Sequence, residues 1–227
     1  MRIIWLGHSS FRIEIAGQIL LIDPWLTGNP MLPSDDHASA VAGATHLILT
    51  HGHDDHAGDA RVIASDKDLP LYGPYELVKA VKGDTEIRIV DFNKGGTIDL
   101  NGIALTIVNA VHSSSYGGDA FCGTECGYMI AAESHTIYLS GDTDIMADME
   151  WMADLHKPDI GLLCAGGIYT MDMARAAYAA KRYFNFKTVI PSHYRTSPRF
   201  EQNADTLKAA LPDVDVIEPQ VLEPITL

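Results

Sequence analysis

Cysteine is scarce in this sequence, with three among 227 residues. An odd, small number builds no disulfide framework and points to a reducing compartment. Long apolar runs are missing as well. No stretch approaches the roughly eighteen residues of a membrane-spanning helix. The opening run Ile3-Ile4-Trp5-Leu6 stops at Gly7-His8-Ser9-Ser10, too soon for the core of a secretory signal. Cationic residues are few: 16 Lys and Arg stand against 30 Asp and Glu, a net charge of −14. That balance repels phosphate backbones and anionic lipid headgroups, and so disfavours general nucleic-acid binding and an electrostatic membrane anchor. No Pro/Ser-rich linker, charge block or low-complexity tract divides the chain. These absences predict a cytoplasmic protein, one domain over residues 1–227, with no nucleic-acid partner and no membrane anchor. Self-association into a homo-oligomer stays open.

What is present is apolar, patterned and rich in imidazole. Hydrophobic residues make up 47% of the chain, enough to bury a sizeable core. Short segments at Arg2–Leu6, Phe11–Ile15, Ile19–Ile22 and Thr45–Leu49 read as strands, with Ala16-Gly17-Gln18 as a hairpin turn. Further strands are predicted at Ile87–Val90, Thr97–Leu100, Ile103–Val108, Tyr128–Ala131, Thr136–Leu139, Ile160–Leu163, Thr188–Ile190 and Val214–Ile217. Helices are predicted near Gly58–Ser65, Pro74–Val81, Thr143–Leu155, Met171–Phe184 and Asn203–Leu211. Strands lead and helices follow in each half. This favours an α/β or α+β domain of two layered halves.

Five of these strands run straight into a residue able to hold a metal. Ile19-Leu20-Leu21-Ile22 ends at Asp23, and Leu47-Ile48-Leu49-Thr50 ends at His51. The strand that opens at Leu105 reaches His112, that at Thr136 reaches Asp142, and that at Thr188 reaches His193. Strand ends in a layered sheet can converge on one rim, where a packed core holds polar groups rigidly. The densest element is Thr50-His51-Gly52-His53-Asp54-Asp55-His56, three imidazoles and two carboxylates in a row of six after Thr50. A solvated turn explains that concentration poorly. Imidazole suits zinc, manganese or iron, and a carboxylate adds charge. Adjacent Asp55 and His56 do not share the geometry of His51 and His53 easily, so two metals are the natural solution.

His51-x-His53-x-Asp55-His56 resembles the HxHxDH signature of the metallo-β-lactamase superfamily. Asp23, His112, Asp142 in Ser-Gly-Asp-Thr and His193 in Pro-Ser-His-Tyr follow that superfamily's order of landmarks. Gly7-His8-Ser9-Ser10-Phe11, Asp23-Pro24-Trp25-Leu26-Thr27-Gly28-Asn29-Pro30 and Gly141-Asp142-Thr143-Asp144 look like its short metal-dependent hydrolases, similar to the L-ascorbate 6-phosphate lactonase branch. The resemblance implies an α+β, four-layer αββα sandwich. It assigns His51, His53 and His112 to a first divalent metal, Asp55, His56 and His193 to a second, and Asp142 to both. Asp23 would stand behind them, orienting an imidazole or the HxHxDH loop. Zinc or manganese is expected, with iron also compatible. With Asp55 and Asp142 in the catalytic centre, a hydroxide shared by two cations roughly 3.5–4 Å apart would attack a small ester or lactone. The same chemistry would serve a small phosphodiester, and a non-catalytic metal-binding module is the reading from a different class. β-Lactam hydrolysis is disfavoured because that class usually has Cys where Asp142 stands.

Weaker signals surround these. His8, Asn29, Tyr194 and Arg195 are candidates for binding substrate or protonating a leaving group. Cys122 and Cys126, with no second pair, read as small buried thiols or loop residues, and Cys164 as core. His37, His46, His135 and His156 have no matching partners and read as structural or exposed. Gly166-Gly167 is a turn, since neither a P-loop nor a dinucleotide motif accompanies it.

Overall fold

The computed structural model describes residues 1–118 and 120–227. Its first sheet is built from β1 (Arg2–Trp5), β2 (Phe11–Ile15), β3 (Gln18–Ile22), β4 (His46–Ile48), β5 (Leu71–Pro74) and β6 (Ile89–Phe92). The second contains β7 (Thr97–Asp99) and β8 (Ala104–Asn109). A two-strand ribbon, β9 (Ser115–Tyr116) with β10 (Ala120–Phe121), precedes β11 (Cys126–Ala132), β12 (His135–Leu139), β13 (Ile160–Cys164), β14 (Thr188–Ser192) and β15 (Asp215–Val216). The chain then returns to the first sheet as β16 (Pro224–Thr226). The strand orders are β16-β1-β2-β3-β4-β5-β6 and β15-β14-β13-β12-β11-β8-β7. Each sheet is antiparallel in one half and parallel in the other, with β3 to β6 and β12 to β15 running parallel.

The period-2 alternation of the strands sorts side chains into two apolar layers. Ile3, Trp5, Leu20, Ile22 and Ile48 face the second sheet and meet Leu105, Ile107, Tyr128, Ile130 and Leu162. Their neighbours Ile4, Leu6, Leu21, Leu47 and Leu49 point the other way, against Ile63, Leu77, Val78 and Val81. Those partners sit on α3 (Ala60–Lys67) and α4 (Tyr75–Lys82), which follow the short turns α1 (His37–Ala40) and α2 (Asp54–Ala57). On the far side, α5 (Met149–His156), α6 (Met173–Tyr183) and α7 (Asp205–Ala210) cover the second sheet through Met149, Met152, Met173, Ala176, Ala180 and Leu207. The layers are helix, sheet, sheet, helix, the αββα arrangement. Truncating an inter-sheet residue such as Ile22 or Leu105 to alanine should cost about 2–5 kcal/mol. Among the described residues, no helix is long and apolar enough to cross a membrane.

Two boundaries differ instructively from the sequence expectation. The helix predicted over Thr143–Leu155 exists only as Met149–His156. Thr143 and Asp144 pair instead with the strand exit before His112. The Thr143 hydroxyl accepts from the Val111 N–H (3.0 Å), and the Asp144 N–H donates to the Val111 carbonyl (3.1 Å). The helix predicted over Met171–Phe184 starts at Met173, because Asp172 caps it by accepting from the Arg175 N–H at 2.8 Å.

Candidate metal centre

The carboxyl ends of β3, β4, β8, β12 and β14 meet at one rim, which is where sheets of this kind place their sites. Asp23 leaves β3 with a left-handed φ of 45° and is 1% exposed. Its Oδ1 accepts from the Thr50 N–H (2.8 Å), and its Oδ2 accepts from the Thr50 hydroxyl (2.6 Å) and from His56 Nδ1 (2.8 Å). The Thr50 hydroxyl has one proton and gives it to Asp23, so at 3.0 Å from His51 Nδ1 it accepts. Both imidazoles therefore carry a proton on Nδ1. That leaves Nε2 as the inward-facing atom from which a metal would draw its lone pair, displacing any proton there.

At the centre stands Asp142, 2% exposed. Its Oδ2 lies 3.0 Å from His193 Nε2, 3.4 Å from His56 Nε2, 3.7 Å from His112 Nε2 and 4.0 Å from His51 Nε2. His53 presents Nδ1 to His51 Nε2 at 3.0 Å and Nε2 to the Ser113 hydroxyl at 3.4 Å. Ligand atoms of His51, His53 and His112 lie within 4.8 Å of one another, as do those of His8, Asp55, His56 and His193. His56 Nε2, Asp142 Oδ1 and His193 Nδ1 are buried without a hydrogen-bond partner. Orphans of this kind cost about 1–3 kcal/mol each when nothing compensates them. A cation beside Asp142 would compensate those that face inward, so the residues fit the group that the sequence implies.

The electrostatics say the same. Burial works against charge on His56, yet the carboxylates of Asp142, Asp23 and Asp55 outweigh it and raise the imidazole well above its ordinary value. Burial would likewise raise Asp142, but His193 and His56 hold its carboxyl well below the usual range. Burial pushes His51 well below its ordinary value and lowers His112 too. Three carboxylates around one imidazole leave the cluster short of positive charge, a deficit that metal ions would fill.

Local backbone is spent to build this rim. His8, Asp23 and His193 all adopt left-handed φ, 54°, 45° and 57°, a sparsely populated state that surrounding structure must enforce. Gly52 lies between His51 and His53, where a Cβ would come 2.4 Å from Cys122 Sγ and 2.7 Å from the Ser115 carbonyl. Gly166 lies flush against the backbone of His193, with a Cβ reaching 1.7 Å from its carbonyl oxygen. No side chain fits at either place.

A cavity of about 380 Å³ opens over the cluster, lined by His53, Asp55, His112, Ser113, Asp142, Tyr169 and His193. A larger hollow of about 550 Å³ lies at the opposite, amino ends of the parallel strands, beside Thr136, Asp159 and Lys187, and gathers no imidazole. Tyr169 is 57% exposed at the mouth, edge-on to Phe200 at 6.0 Å. It is held there by a γ-turn in which its N–H donates to the Gly167 carbonyl (2.7 Å) across Ile168, a branched residue at φ 66°.

Of the four residues expected to bind substrate, His8, Asn29, Tyr194 and Arg195, none lines the open cavity. Tyr194 is fully buried and stacks on Trp5 at 5.5 Å, because the left-handed turn at His193 sends the next side chain into the inter-sheet core. Arg195 follows it, resting its guanidinium over the Trp5 and Tyr194 rings and reaching the Pro219 carbonyl at 3.4 Å. Asn29 is 5% exposed and staples its own loop, donating to the Leu6 and Trp25 carbonyls and accepting from the Met31 N–H. His8 is 2% exposed and reaches Asp55, not the open cavity. His46, His135 and His156 lie elsewhere, on Thr45, Asp159 and Trp151 respectively. The three cysteines are free and buried. Thr50, Ser113, Tyr169 and Thr196 contribute to the site without having stood out in the sequence. Thr50 alone carried a signal, as the last residue before the HxHxDH run.

Comparison with known proteins gives one consistent picture. A family model described as a beta-lactamase superfamily domain matches residues 2–193. A UPF0173 metal-dependent hydrolase of Cereibacter sphaeroides is 59% identical over 230 residues, covering 100% of both chains. Another, from Paracoccus denitrificans, is 57% identical over 230 residues with the same coverage. A solved metallo hydrolase of the hyperthermophilic archaeon Ignicoccus hospitalis has a TM-score of 0.88 at 27% identity, covering 100% of this chain and 97% of that one.

Proposed function

The chain belongs to the β-lactamase superfamily and, within it, to the UPF0173 metal-dependent hydrolases, and from that premise we propose that it uses two divalent cations, zinc or manganese, to hydrolyse a small ester or lactone. His51, His53 and His112 would hold one cation, Asp55, His56 and His193 the other, and Asp142 would serve both. The observation that carries this reading is the position of Asp142 Oδ2, buried with four imidazole Nε2 atoms at 3.0–4.0 Å. Two cations held there supply an acidified water and a polarised oxygen on the attacked group.

The protein's own groups do the rest. Asp23 and Thr50 hold His56 and His51 in the tautomer that leaves Nε2 free. Ser113 with its hydroxyl and Tyr169 with its exposed ring line the mouth, where a bound substrate would meet them. The lining described here contains no Lys or Arg, while Asp55 and Asp142 face inward. An anionic phosphodiester would find no counter-charge in that lining, Arg199 standing outside it over the Tyr169 ring at 6.0 Å, which supports an uncharged acyl group over it. The test is turnover by zinc- or manganese-loaded protein on a panel of lactones, aryl esters and bis-p-nitrophenyl phosphate. Hydrolysis of the acyl compounds, lost in Asp142→Ala, is expected. Undiminished hydrolysis by Asp142→Ala would overturn the mechanism, and two bound ions without turnover on any substrate would favour a binding role.

A further inference from the structure

Residue 8 is tied into the rim by every polar atom it has beyond its own N–H. Its carbonyl accepts from Trp5 Nε1 (2.7 Å) and from the His193 N–H (2.9 Å). Its ring lies with the centroid 3.9 Å from that of His193. Nε2 is 2.9 Å from Asp55 Oδ2, and Nδ1 is 2.7 Å from the Thr196 hydroxyl. Proximity alone would admit His8 as one more metal ligand, since its ligand atom lies within 4.8 Å of those of Asp55, His56 and His193.

Hydrogen-bond chemistry decides against that. An ionised carboxylate only accepts, so a nitrogen at 2.9 Å from Asp55 Oδ2 must carry the proton, whatever the charge on the ring. A protonated nitrogen has no lone pair for a cation. The other nitrogen is taken by Thr196, as acceptor from its hydroxyl in the neutral ring or as donor to it in the charged one. Among the described residues, Asp55 Oδ1 makes no protein hydrogen bond, and the side chain is 35% exposed on the first turn of a four-residue helix. Left alone, such a carboxylate would sample several rotamers.

We propose that His8 is a positioning residue: with Thr196 behind it, it clamps Asp55 through Oδ2, which also lies 4.0 Å from His193 Nε2, and so fixes the rotamer in which the carboxylate is offered to a cation. The clamp also joins the two sheets, because Asp55 follows β4 and Thr196 follows β14. This rests on the two-cation reading above, and its test separates the two.

In metal-free protein, nitrogen-15 NMR of the imidazoles should show His8 protonated on Nε2, with that proton protected from exchange. An Nε2 without a proton overturns the clamp. In zinc titrations followed by calorimetry and elemental analysis, His8→Ala should weaken the second ion by roughly 10–100-fold and leave the first unchanged. His8→Gln, which keeps an N–H towards Asp55, should restore the affinity. Wild-type affinity in His8→Ala overturns the proposal, and so does a His8→Gln variant as weak as His8→Ala, which is the behaviour of a lost ligand. Should His8→Ala fail to fold, Thr196→Val removes only the hydroxyl, and unchanged binding of the second ion in it also overturns the clamp. Wild-type protein that binds fewer than two ions would overturn the two-cation reading, while the imidazole tautomer still decides the clamp.

Discussion

Replacing Asp23 by Asn is the sharpest single perturbation of this site. Asn keeps the volume and tolerates the left-handed φ of 45°, so the backbone should stay in place. The hydrogen-bond pattern cannot. Asp23 accepts three bonds with two oxygens, from the Thr50 N–H, the Thr50 hydroxyl and His56 Nδ1. The Asn oxygen can serve the Thr50 N–H, but the amide nitrogen then faces His56 Nδ1. Two donors cannot share that line, so His56 must give up its Nδ1 proton and keep only one on Nε2, the atom that points at Asp142. Three charge-assisted bonds become neutral ones, each weaker by about 1 kcal/mol, so the metal-free protein should lose about 2–3 kcal/mol in urea unfolding. Loss of the orienting carboxylate should further weaken metal binding by roughly 10–100-fold, or about 1.4–2.7 kcal/mol. Calorimetric zinc titration measures the second effect independently of the first. An Asp23→Asn protein that unfolds at the wild-type midpoint and binds zinc with wild-type affinity would refute the orienting role.

Other outcomes follow from the same geometry. Gly52→Ala drives a methyl into Cys122 Sγ and the Ser115 carbonyl and should cost about 1–3 kcal/mol; circular-dichroism melting should show part of the loss recovered in a Gly52→Ala/Cys122→Ala double variant. Tyr169→Ala should raise KM for aryl esters more than it lowers kcat, and steady-state kinetics showing Tyr169→Phe equally impaired would mean that the hydroxyl, not the ring, is the contact. The Asp159 carboxyl resists the raising effect of burial because the Thr136 N–H, His135 and Lys187 hold it below its ordinary value. A depressed carboxyl contributes stability above its unfolded pKa of about 3.9 and loses it as pH falls through its lower folded value. The gap in urea midpoint between wild type and Asp159→Asn should therefore be present at neutral pH and close in strong acid; a gap that widens as the pH drops would contradict the sign.

The parts of this site that are legible in the sequence are those where chemistry is contiguous or follows a strand directly. His51, His53, Asp55 and His56 occupy one turn after β4, and Asp23, His112, Asp142 and His193 each follow an apolar strand that the period-2 pattern exposes. Asp23, read as orienting an imidazole or the HxHxDH loop, lies 2.8 Å from His56 Nδ1. Tyr194 and Arg195 went the other way because a left-handed residue reverses which face the chain presents next, and nothing in Pro-Ser-His-Tyr-Arg reports a positive φ. Tyr169 was hidden for a different reason. Its loop reaches the site only because β13 pairs in parallel with β14, a long-range contact with no local signature. The helix expected from Thr143 fails by six residues because tertiary hydrogen bonds to Val111 outcompete intrinsic propensity.

The donors around Asp142 come from both sheets, His51, His53, Asp55 and His56 from one and His112, Asp142 and His193 from the other. In the proposed reading, a metal ion bound between them would act as a rivet through the seam of the sandwich. Thermal stability would then become a readout of free cation, growing by about 2.7 kcal/mol at a free cation concentration a hundred times the dissociation constant. A cell that starves this protein of metal would remove one fastening of the fold along with its chemistry, so abundance and activity would fall together.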